Sequence, residues 1–174
     1  MTDPTKVIVR RVRAEDSVLS LLADFRCADQ SADAEIEVER WIQHRLALWA
    51  FDPGAAADEP QVLATLDHQT GALIGVFAHE HAVMHVGDVM IQAEKIAVVA
   101  VGLDYRRRLD VDNRRYSDIV MSSGLQAIEM RTPPQRRVFG FVHVDNASSF
   151  RLLERHSMTR RIPRDAMTQL VTHR

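Results

Sequence analysis

The feature that most constrains the fold is an almost uninterrupted apolar run at residues 95–103. Apolar side chains occupy both odd and even positions of this run, so both faces of an extended strand there would avoid water. A strand with that pattern belongs in the middle of a sheet, with helices packed on both sides. The run is also far shorter than the roughly 18 apolar residues of a membrane-spanning helix. We therefore predict a central β-strand over residues 95–103.

The spacing of apolar residues predicts the other elements. Short β-branched or alternating stretches predict strands at residues 7–12, 62–66, 73–86 and 137–144. Apolar residues three or four apart predict helices from Ala14, over 34–50, after Ser117, and from an Asn146 cap to about His156. Residues 52–60 read as a loop, and residues 162–171 have room for a short hairpin. The order β-α-α-β-β-β-α-β-α-β predicts an α/β fold with a mixed central sheet and helices on both faces.

The composition is that of an ordinary globular domain. The chain has 174 residues, of which 46% are hydrophobic and 26% charged, which favours one domain over residues 1–174. Cys27 is the only cysteine, so no internal disulfide can form and no four-cysteine zinc site can be built. The first residues lack the apolar core of a signal peptide, and a reduced cytoplasmic compartment is the expected location.

Charge is distributed unevenly along the chain. Residues 1–87 carry 14 acidic and 7 basic side chains, whereas the remainder carries 10 acidic and 15 basic ones. This split indicates two differently charged ligands or faces, although solvated surface charge alone also produces it. Aromatic residues do not alternate with the arginines of the basic half, which disfavours nucleic-acid binding.

Four segments of the C-terminal half share their order and spacing with a known family. Residues 97–106 run from the apolar strand into Gly-Leu-Asp-Tyr-Arg, and an arginine-rich loop and a helix follow. Residues 139–146 form a strand that ends in Asn146, and residues 149–158 read Ser-Phe-Arg-Leu-Leu-Glu-Arg-His-Ser-Met. In these segments the chain resembles the GNAT acyltransferase superfamily, and the resemblance extends over essentially its whole length.

The resemblance implies an enzyme that uses an acyl-CoA. In this superfamily the acyl-CoA lies in a V-shaped gap between the fourth and fifth strands, with its pantetheine arm on the fourth strand. Its pyrophosphate rests on backbone N–H groups at the N-terminus of the next helix, where the helix dipole favours an anion. An amine then attacks the thioester directly. The residues that the resemblance assigns to binding acetyl-CoA are Val99, Ala100, Val101, Arg106, Arg107, Arg108, Arg114, Arg115, Tyr116, Ser117, Asn146 and Ser149.

Two departures from the family pattern affect this expectation. The family's phosphate loop is rich in glycine, whereas no glycine occurs between Gly102 and Gly124. The arginines of the loop would instead bind phosphate through their guanidinium groups, and a solvated basic loop is the alternative. Leu153 stands where the family commonly has a tyrosine that protonates the leaving thiolate, so the usual general acid is absent.

Three residues are candidate general bases for the amine. Glu94 precedes the predicted central strand and roughly matches the glutamate base of some family members; an exposed residue at the start of a strand is the alternative. His79 and His81 share one face of their predicted strand with His85, and an imidazole there could enter the acceptor cleft. Ordinary strand histidines are the alternative for them. A three-histidine metal site is disfavoured because no fourth ligand is evident, and no metal is expected.

We therefore expect an N-acetyltransferase that moves an acetyl group from acetyl-CoA to a primary amine. The resemblance implies that the first two helices and the loop between them shape the acceptor site. Because these segments are acidic in this chain, a cationic acceptor is favoured. Those acidic residues are Asp24, Asp29, Asp33, Glu35, Glu37 and Glu39. The alternative function is a GNAT-like binding or interaction module with weak or no catalysis. Neither a membrane nor a nucleic acid is an expected partner, and the sequence leaves a homodimer open.

Overall fold

A computed structural model of the chain describes residues 6–13, 17–29, 33–46, 60–86, 88–131, 137–160 and 167–172. Its strands are β1 (Val7–Arg11), β2 (Gln61–Asp67), β3 (Leu73–Val86), β4 (Val89–Val101), β5 (Arg137–His143), β6 (Met158–Arg160) and β7 (Met167–Thr172). Its α-helices are α1 (Val18–Ala23), α2 (Asp33–Trp41), α3 (Tyr116–Arg131) and α4 (Ala147–Arg155). A π-helical turn, Ile42–Leu46, follows α2, and a 3-10 turn, Leu103–Tyr105, follows β4.

The described strands form one mixed sheet in the order β1-β2-β3-β4-β5-β7-β6. Strands β4 and β5 run parallel, and every other neighbouring pair is antiparallel. Strand β4 lies at the centre of the sheet, as its apolar sequence predicts. The parallel pair β4–β5 needs a crossover connection, which α3 supplies.

Helices cover both faces of the sheet, which confirms the predicted fold class. On one face, Val76, Ala78 and Val98 pack with α1 and the π-helical turn. On the other face, Phe77 and Ile96 pack with apolar residues of α3 and α4. The alternation of Val76, Phe77 and Ala78 between the two clusters follows from the two-residue period of a strand.

A glycine sets the distance between α3 and the sheet. A Cβ atom built on Gly124 would lie 2.3 Å from the ring of Phe77, far inside van der Waals contact. The absent side chain therefore allows α3 to lie directly on β3. On α4, the predicted cap is present, because the Asn146 side chain accepts a hydrogen bond from the backbone N–H of Ser149 at 3.0 Å.

Several boundaries differ from the sequence prediction. Strand β4 begins at Val89 and not at residue 95, because residues 89–94 form a long hairpin with the end of β3 although they include polar side chains. The C-terminal hairpin begins earlier than residue 162 and adds β6 to the predicted order, since β6 pairs with β7. Residues 47–50 of the second predicted helix and residues 52–59 of the predicted loop lie outside the described residues.

No described helix is long and apolar enough to cross a membrane.

Candidate functional site

Strands β4 and β5 separate part of the way along the sheet. They pair only from Ala93 with Arg137 to Ile96 with Gly140. Beyond that point β4 continues to Val101 and β5 continues to His143 without further pairing in the described chain. The result is a V-shaped gap whose walls are two diverging strands.

A β-bulge lies at the narrow end of this gap. Ala78 of β3 pairs with Val98, but the next residue, His79, pairs with Ile96, which leaves Ala97 as an extra residue on β4. Such a bulge bends a strand and increases its local twist. Because Ala97 directly follows the last β4–β5 pair, the bulge turns β4 away from β5 where the gap begins.

A cavity of about 1190 Å³ occupies the gap. Its walls come from β4, β5, α2, the loop after β4, the first turn of α3 and the whole length of α4. All the residues that the sequence assigns to CoA binding line it except Arg114. The lining residues from that set are Val99, Ala100, Val101, Arg106, Arg107, Arg108, Arg115, Tyr116, Ser117, Asn146 and Ser149.

Arg114 is absent from the cavity wall because it is bound to acidic residues of its own loop. Its guanidinium donates to Asp110 at 2.7 and 3.0 Å and to Asp112 at 3.1 Å. Asp110 is almost fully buried and also accepts the backbone N–H groups of Asp112 and Arg114. Burial raises the pKa of Asp110, but these hydrogen bonds and the charge of Arg114 outweigh burial and lower it. Arg114 therefore holds the loop in shape.

The other loop arginines differ in how much they are engaged. Arg106 donates to Glu35 at 3.0 Å and to the backbone carbonyl of Cys27, which ties the loop to the opposite wall. The guanidinium of Arg108 lies over the ring of Tyr105, 5.9 Å from its centre. Arg107 is exposed and has a positive φ of 65°. Arg115 is also exposed on the cavity wall. Arg107, Arg108 and Arg115 are therefore placed to meet an anion in the cavity.

The cavity wall also includes two arginines that the sequence patterns did not select. Arg151 and Arg155 lie one turn apart on α4. Arg155 donates to Asp118 in the first turn of α3 at 2.8 Å, so it joins the two helices that flank the cavity. The spacing of four residues on a predicted helix was the signal that could have identified this pair.

The three predicted catalytic residues lie together but do not line the cavity. The Glu94 carboxylate is 3.0 Å from Nδ1 of His79, and its other oxygen forms an ion pair with Nδ1 of His81. Glu94 and His79 are fully buried, and the His81 side chain is 15% exposed. The alternative interpretation, in which Glu94 is an exposed residue at the start of the strand, is wrong, because β4 begins five residues earlier and Glu94 is fully buried.

The charge state of Glu94 follows from these contacts. Burial alone raises the pKa of Glu94, but the hydrogen bond from His79 and the electrostatic interactions with His81, His79 and Arg131 outweigh burial. The net result is a lowered pKa and a carboxylate that stays ionised.

The third histidine of the predicted strand, His85, is exposed farther along β3. Within the described ranges no group of three acidic, histidine or cysteine side chains is arranged to hold a metal ion.

Helix α2 contributes acidic residues to the cavity wall. Glu35 and Glu37 line it beside Val38 and Trp41. Glu35 is engaged by Arg106 and by the backbone N–H of Asp29 at 3.1 Å. Glu39 accepts the backbone N–H groups of Cys27 and Ala28 and shapes that turn. Of the acidic residues that the sequence singled out, Glu37 is the exposed one on the cavity wall.

Two other titratable side chains reach the cavity. Cys27 lines it but is buried, and burial followed by the negative charge of Glu39 raises the pKa of its thiol to about 12. The thiol therefore stays protonated near neutral pH and is a poor nucleophile. His143, at the end of β5, lines the cavity with its side chain 35% exposed.

Comparisons with known proteins identify the fold. No protein-family model and no curated protein matches the sequence. The structure is similar to the PaiA N-acetyltransferase from Thermoplasma acidophilum in complex with coenzyme A, with a TM-score of 0.69 and 11% identity over 97% of this chain and 99% of that one. It is also similar to a mutant AtaT toxin bound to the C-terminus of the antitoxin AtaR and acetyl-CoA, with a TM-score of 0.62 and 8% identity over 95% and 91% of the two chains.

A third similar structure is that of a protein from Desulfovibrio desulfuricans assigned to the GNAT acetyltransferase family. Its TM-score is 0.60 at 12% identity, and the match covers 95% of this chain and 96% of that one. Each match extends over nearly the whole of both chains. At these low identities the likeness establishes the fold.

Proposed function

We propose that this chain, whose fold is that of the GNAT N-acetyltransferases, transfers an acyl group from an acyl-CoA to an amine, with acetyl-CoA as the donor. The observation that carries the proposal is the gap between β4 and β5, with a cavity lined by nearly every residue that the sequence assigns to CoA. Two of the similar structures hold CoA or acetyl-CoA, which supports the same class of ligand here.

The phosphate end of the ligand belongs at the start of α3. Tyr116 and Ser117 are the first two helical residues, and the first N–H groups of a helix have no partner within it. Both residues line the cavity, so their N–H groups and the helix dipole favour an anion there. Arg107 and Arg108 add positive charge on the same wall and take the place of the missing glycine-rich loop.

The pantetheine arm belongs along β4. Past Ile96, the backbone N–H and C=O groups of β4 on the side of β5 have no strand to pair with in the described chain. An amide-containing arm that lies there would satisfy them in the way that another strand does. The thioester would then reach the bulge at Ala97, close to the narrow end of the gap.

The acceptor amine belongs on the side of α2. Glu37 is exposed on that wall, and its carboxylate favours a cationic amine by electrostatic attraction. Glu35 contributes less attraction because Arg106 pairs with it. Polyamines, aminoglycosides and the lysine side chains or N-termini of proteins meet this charge requirement.

The proposed chemistry is direct attack. The ammonium loses one proton, its nitrogen bonds to the thioester carbon, and the carbon–sulfur bond breaks. The nitrogen's second proton ends on the departing thiolate, so an amide and free CoA are formed. In place of a catalytic role, we assign Glu94, His79 and His81 the stabilisation of the β3–β4 pair, since all three lie off the cavity wall.

The second candidate function is the non-catalytic module. Two observations favour it: no predicted base lines the cavity, and Leu153, which does, cannot protonate a thiolate. The two functions differ in product formation and share CoA binding.

The test combines binding with transfer. We expect acetyl-CoA to raise the unfolding temperature of the wild-type protein, and we expect mass spectrometry to detect acetylated product from a panel of spermidine, kanamycin and a lysine-containing peptide. Stabilisation without any product would favour the module. Absence of both would contradict the acyl-CoA site itself.

A further inference from the structure

A single carboxylate organises the loop between β4 and α3. Asp110 is only 4% exposed, and both of its side-chain oxygens accept hydrogen bonds. Oδ1 accepts the backbone N–H groups of Asp112 at 3.0 Å and of Arg114 at 2.8 Å. Oδ2 accepts Nε and Nη2 of Arg114 at 3.0 and 2.7 Å. These four charge-assisted bonds fix the backbone of residues 110–114 around one buried group.

The backbone of Asp110 closes the same turn. Its N–H donates to the C=O of Arg114 at 2.9 Å, and its C=O accepts the N–H of Asn113 at 3.1 Å. Asn113 has a φ of 61°, in the left-handed region that favours glycine. Because the loop contains no glycine, hydrogen bonds to the Asp110 side chain hold it in a conformation that glycine adopts without such support.

This turn determines where α3 begins. It places Leu109 beside Arg115 in an antiparallel β-bridge, and both residues line the cavity. The C=O of Arg115 accepts the N–H groups of Asp118 and Ile119 at 3.0 and 3.1 Å, so the helix starts from Arg115. The Arg115 side chain and the first N–H groups of α3 therefore take their positions from a turn that Asp110 holds, although Asp110 is not on the cavity wall.

We propose that Asp110 is a positioning residue for the phosphates of the acyl-CoA; this inference rests on the proposed function. Its hydrogen bonds fix Arg115 and the start of α3 before the ligand arrives, so less of the binding free energy is lost to ordering the loop. The loop arginines supply the positive charge, and Asp110 supplies the fixed backbone that presents it.

The charge of Asp110 makes the sign of the effect decisive. A carboxylate near a phosphate repels it, so by charge alone the removal of Asp110 would strengthen CoA binding. Positioning predicts weaker binding, because the turn and the start of α3 lose their fixed arrangement. Asp112 is the matched control: it is a carboxylate of the same loop, its side chain is 66% exposed, and it contacts Arg114 at 3.1 Å.

The test measures acetyl-CoA affinity by calorimetry for Asp110→Ala and Asp112→Ala. We expect Asp110→Ala to bind at least about tenfold more weakly, and Asp112→Ala to bind as tightly as the wild type or slightly more tightly. Asp110→Asn keeps the oxygen that accepts the two backbone N–H groups, so its loss should be smaller. If Asp110→Ala does not fold, Asp110→Asn decides the matter. Affinity equal to or above that of the wild type in the folded Asp110 variant, or an equal loss in Asp112→Ala, overturns the inference.

A second measurement separates positioning from a general loss of structure. In transfer assays with spermidine, we expect the Asp110 variant to raise KM for acetyl-CoA and to keep kcat within about twofold of the wild type. A fall in kcat with KM unchanged overturns the inference.

The failure of this inference is distinct from the failure of the proposed function. A wild-type protein that does not bind acetyl-CoA contradicts the function, and the inference with it. A wild-type protein that binds acetyl-CoA, with Asp110 variants that bind it equally well, contradicts the inference alone. Because calorimetry needs no turnover, this comparison also holds for a non-catalytic module.

Discussion

Arg106 and Glu35 form an ion pair across the cavity, with Nη1 of the arginine 3.0 Å from Oε2 of the glutamate. The pair joins the loop after β4, where the phosphates of CoA are expected, to helix α2 on the acceptor side. The same arginine also donates to the backbone carbonyl of Cys27. An anion in the cavity must therefore compete with Glu35 for the charge of Arg106.

The first prediction concerns this competition. Glu35→Gln removes the competing charge, so we expect acetyl-CoA to bind severalfold more tightly in calorimetric titrations at low salt. The gain should shrink at high salt, because partly exposed charges are screened. Glu80→Gln is the matched control, since Glu80 forms a similar pair with Lys95 at 2.9 Å but does not line the cavity. Unchanged or weaker binding in Glu35→Gln would show that Arg106 does not meet the ligand.

The second prediction concerns two exposed arginines of the loop after β4, Arg107 and Arg108. Replacing both Arg107 and Arg108 by Ala should weaken CoA binding, because each substitution removes a guanidinium group from the cavity wall. If they contact the 3′-phosphate, dephospho-CoA should show a smaller loss. The double variant of Arg11 and Arg13, both exposed near β1, removes the same net charge elsewhere and should bind CoA normally. Equal CoA affinities for the two double variants would show that the loop arginines are solvated and do not contact CoA.

The third prediction concerns the buried Glu94. The pKa of Glu94 is lower in the folded chain than its ordinary value of 4.5, so its contribution to stability is complete above pH 4.5. The contribution disappears as the pH falls through the folded-state value. Glu94→Gln leaves buried imidazoles without their anion and should lower the free energy of unfolding by about 3 kcal/mol near neutral pH.

Urea unfolding of the wild type and of Glu94→Gln from pH 7 to pH 3 measures this effect. The difference between them should be constant down to about pH 5 and then narrow. A difference that is absent at pH 7, or that grows in acid, contradicts the structural role. A stable Glu94→Gln protein that binds acetyl-CoA but has lost transfer would restore Glu94 as the base.

The fourth prediction concerns the contact between α3 and the sheet. Gly124→Ala places a methyl group 2.3 Å from the Phe77 ring, so helix or ring must move. We expect a loss of about 1–3 kcal/mol in the free energy of unfolding, as for other overpacked cores. Gly140→Ala is the control, because the nearest atom to its new methyl group is the Ile96 Cβ at an ordinary 3.6 Å. Similar losses in both variants would refute close packing at Gly124.

The sequence was most informative where local pattern determines structure. The apolar run at 95–103 predicted the central strand, and Asn146 was correctly predicted as the cap of α4. The start of β4 was missed because residues 89–94 are held by pairing with β3, a long-range contact that polar residues such as Gln92 conceal. The extra strand β6 was missed because it is only three residues long.

The site was predictable only in part, for a similar reason. The order of the motifs predicted most of the residues that line the cavity. It could not predict which arginines are able to bind an anion, because that depends on which carboxylates lie near them in the folded chain. Arg114 is bound to Asp110, and Arg106 is bound to Glu35. Glu94 is buried because it lies within β4 and pairs with His81 of β3, and this long-range pairing could not be predicted from the sequence. His143 lies at the end of a strand with no motif around it, and only the divergence of β5 from β4 brings it to the cavity.

Hydrogen–deuterium exchange with and without acetyl-CoA tests the central claim, that the gap between β4 and β5 is an acyl-CoA site, most directly. We expect saturating acetyl-CoA to slow amide exchange in peptides covering residues 97–101 of β4 and 115–119 at the start of α3. Exchange in β1 at the far edge of the sheet should stay the same. Unchanged exchange in both segments at millimolar acetyl-CoA, or slowing confined to another part of the chain, would contradict the account.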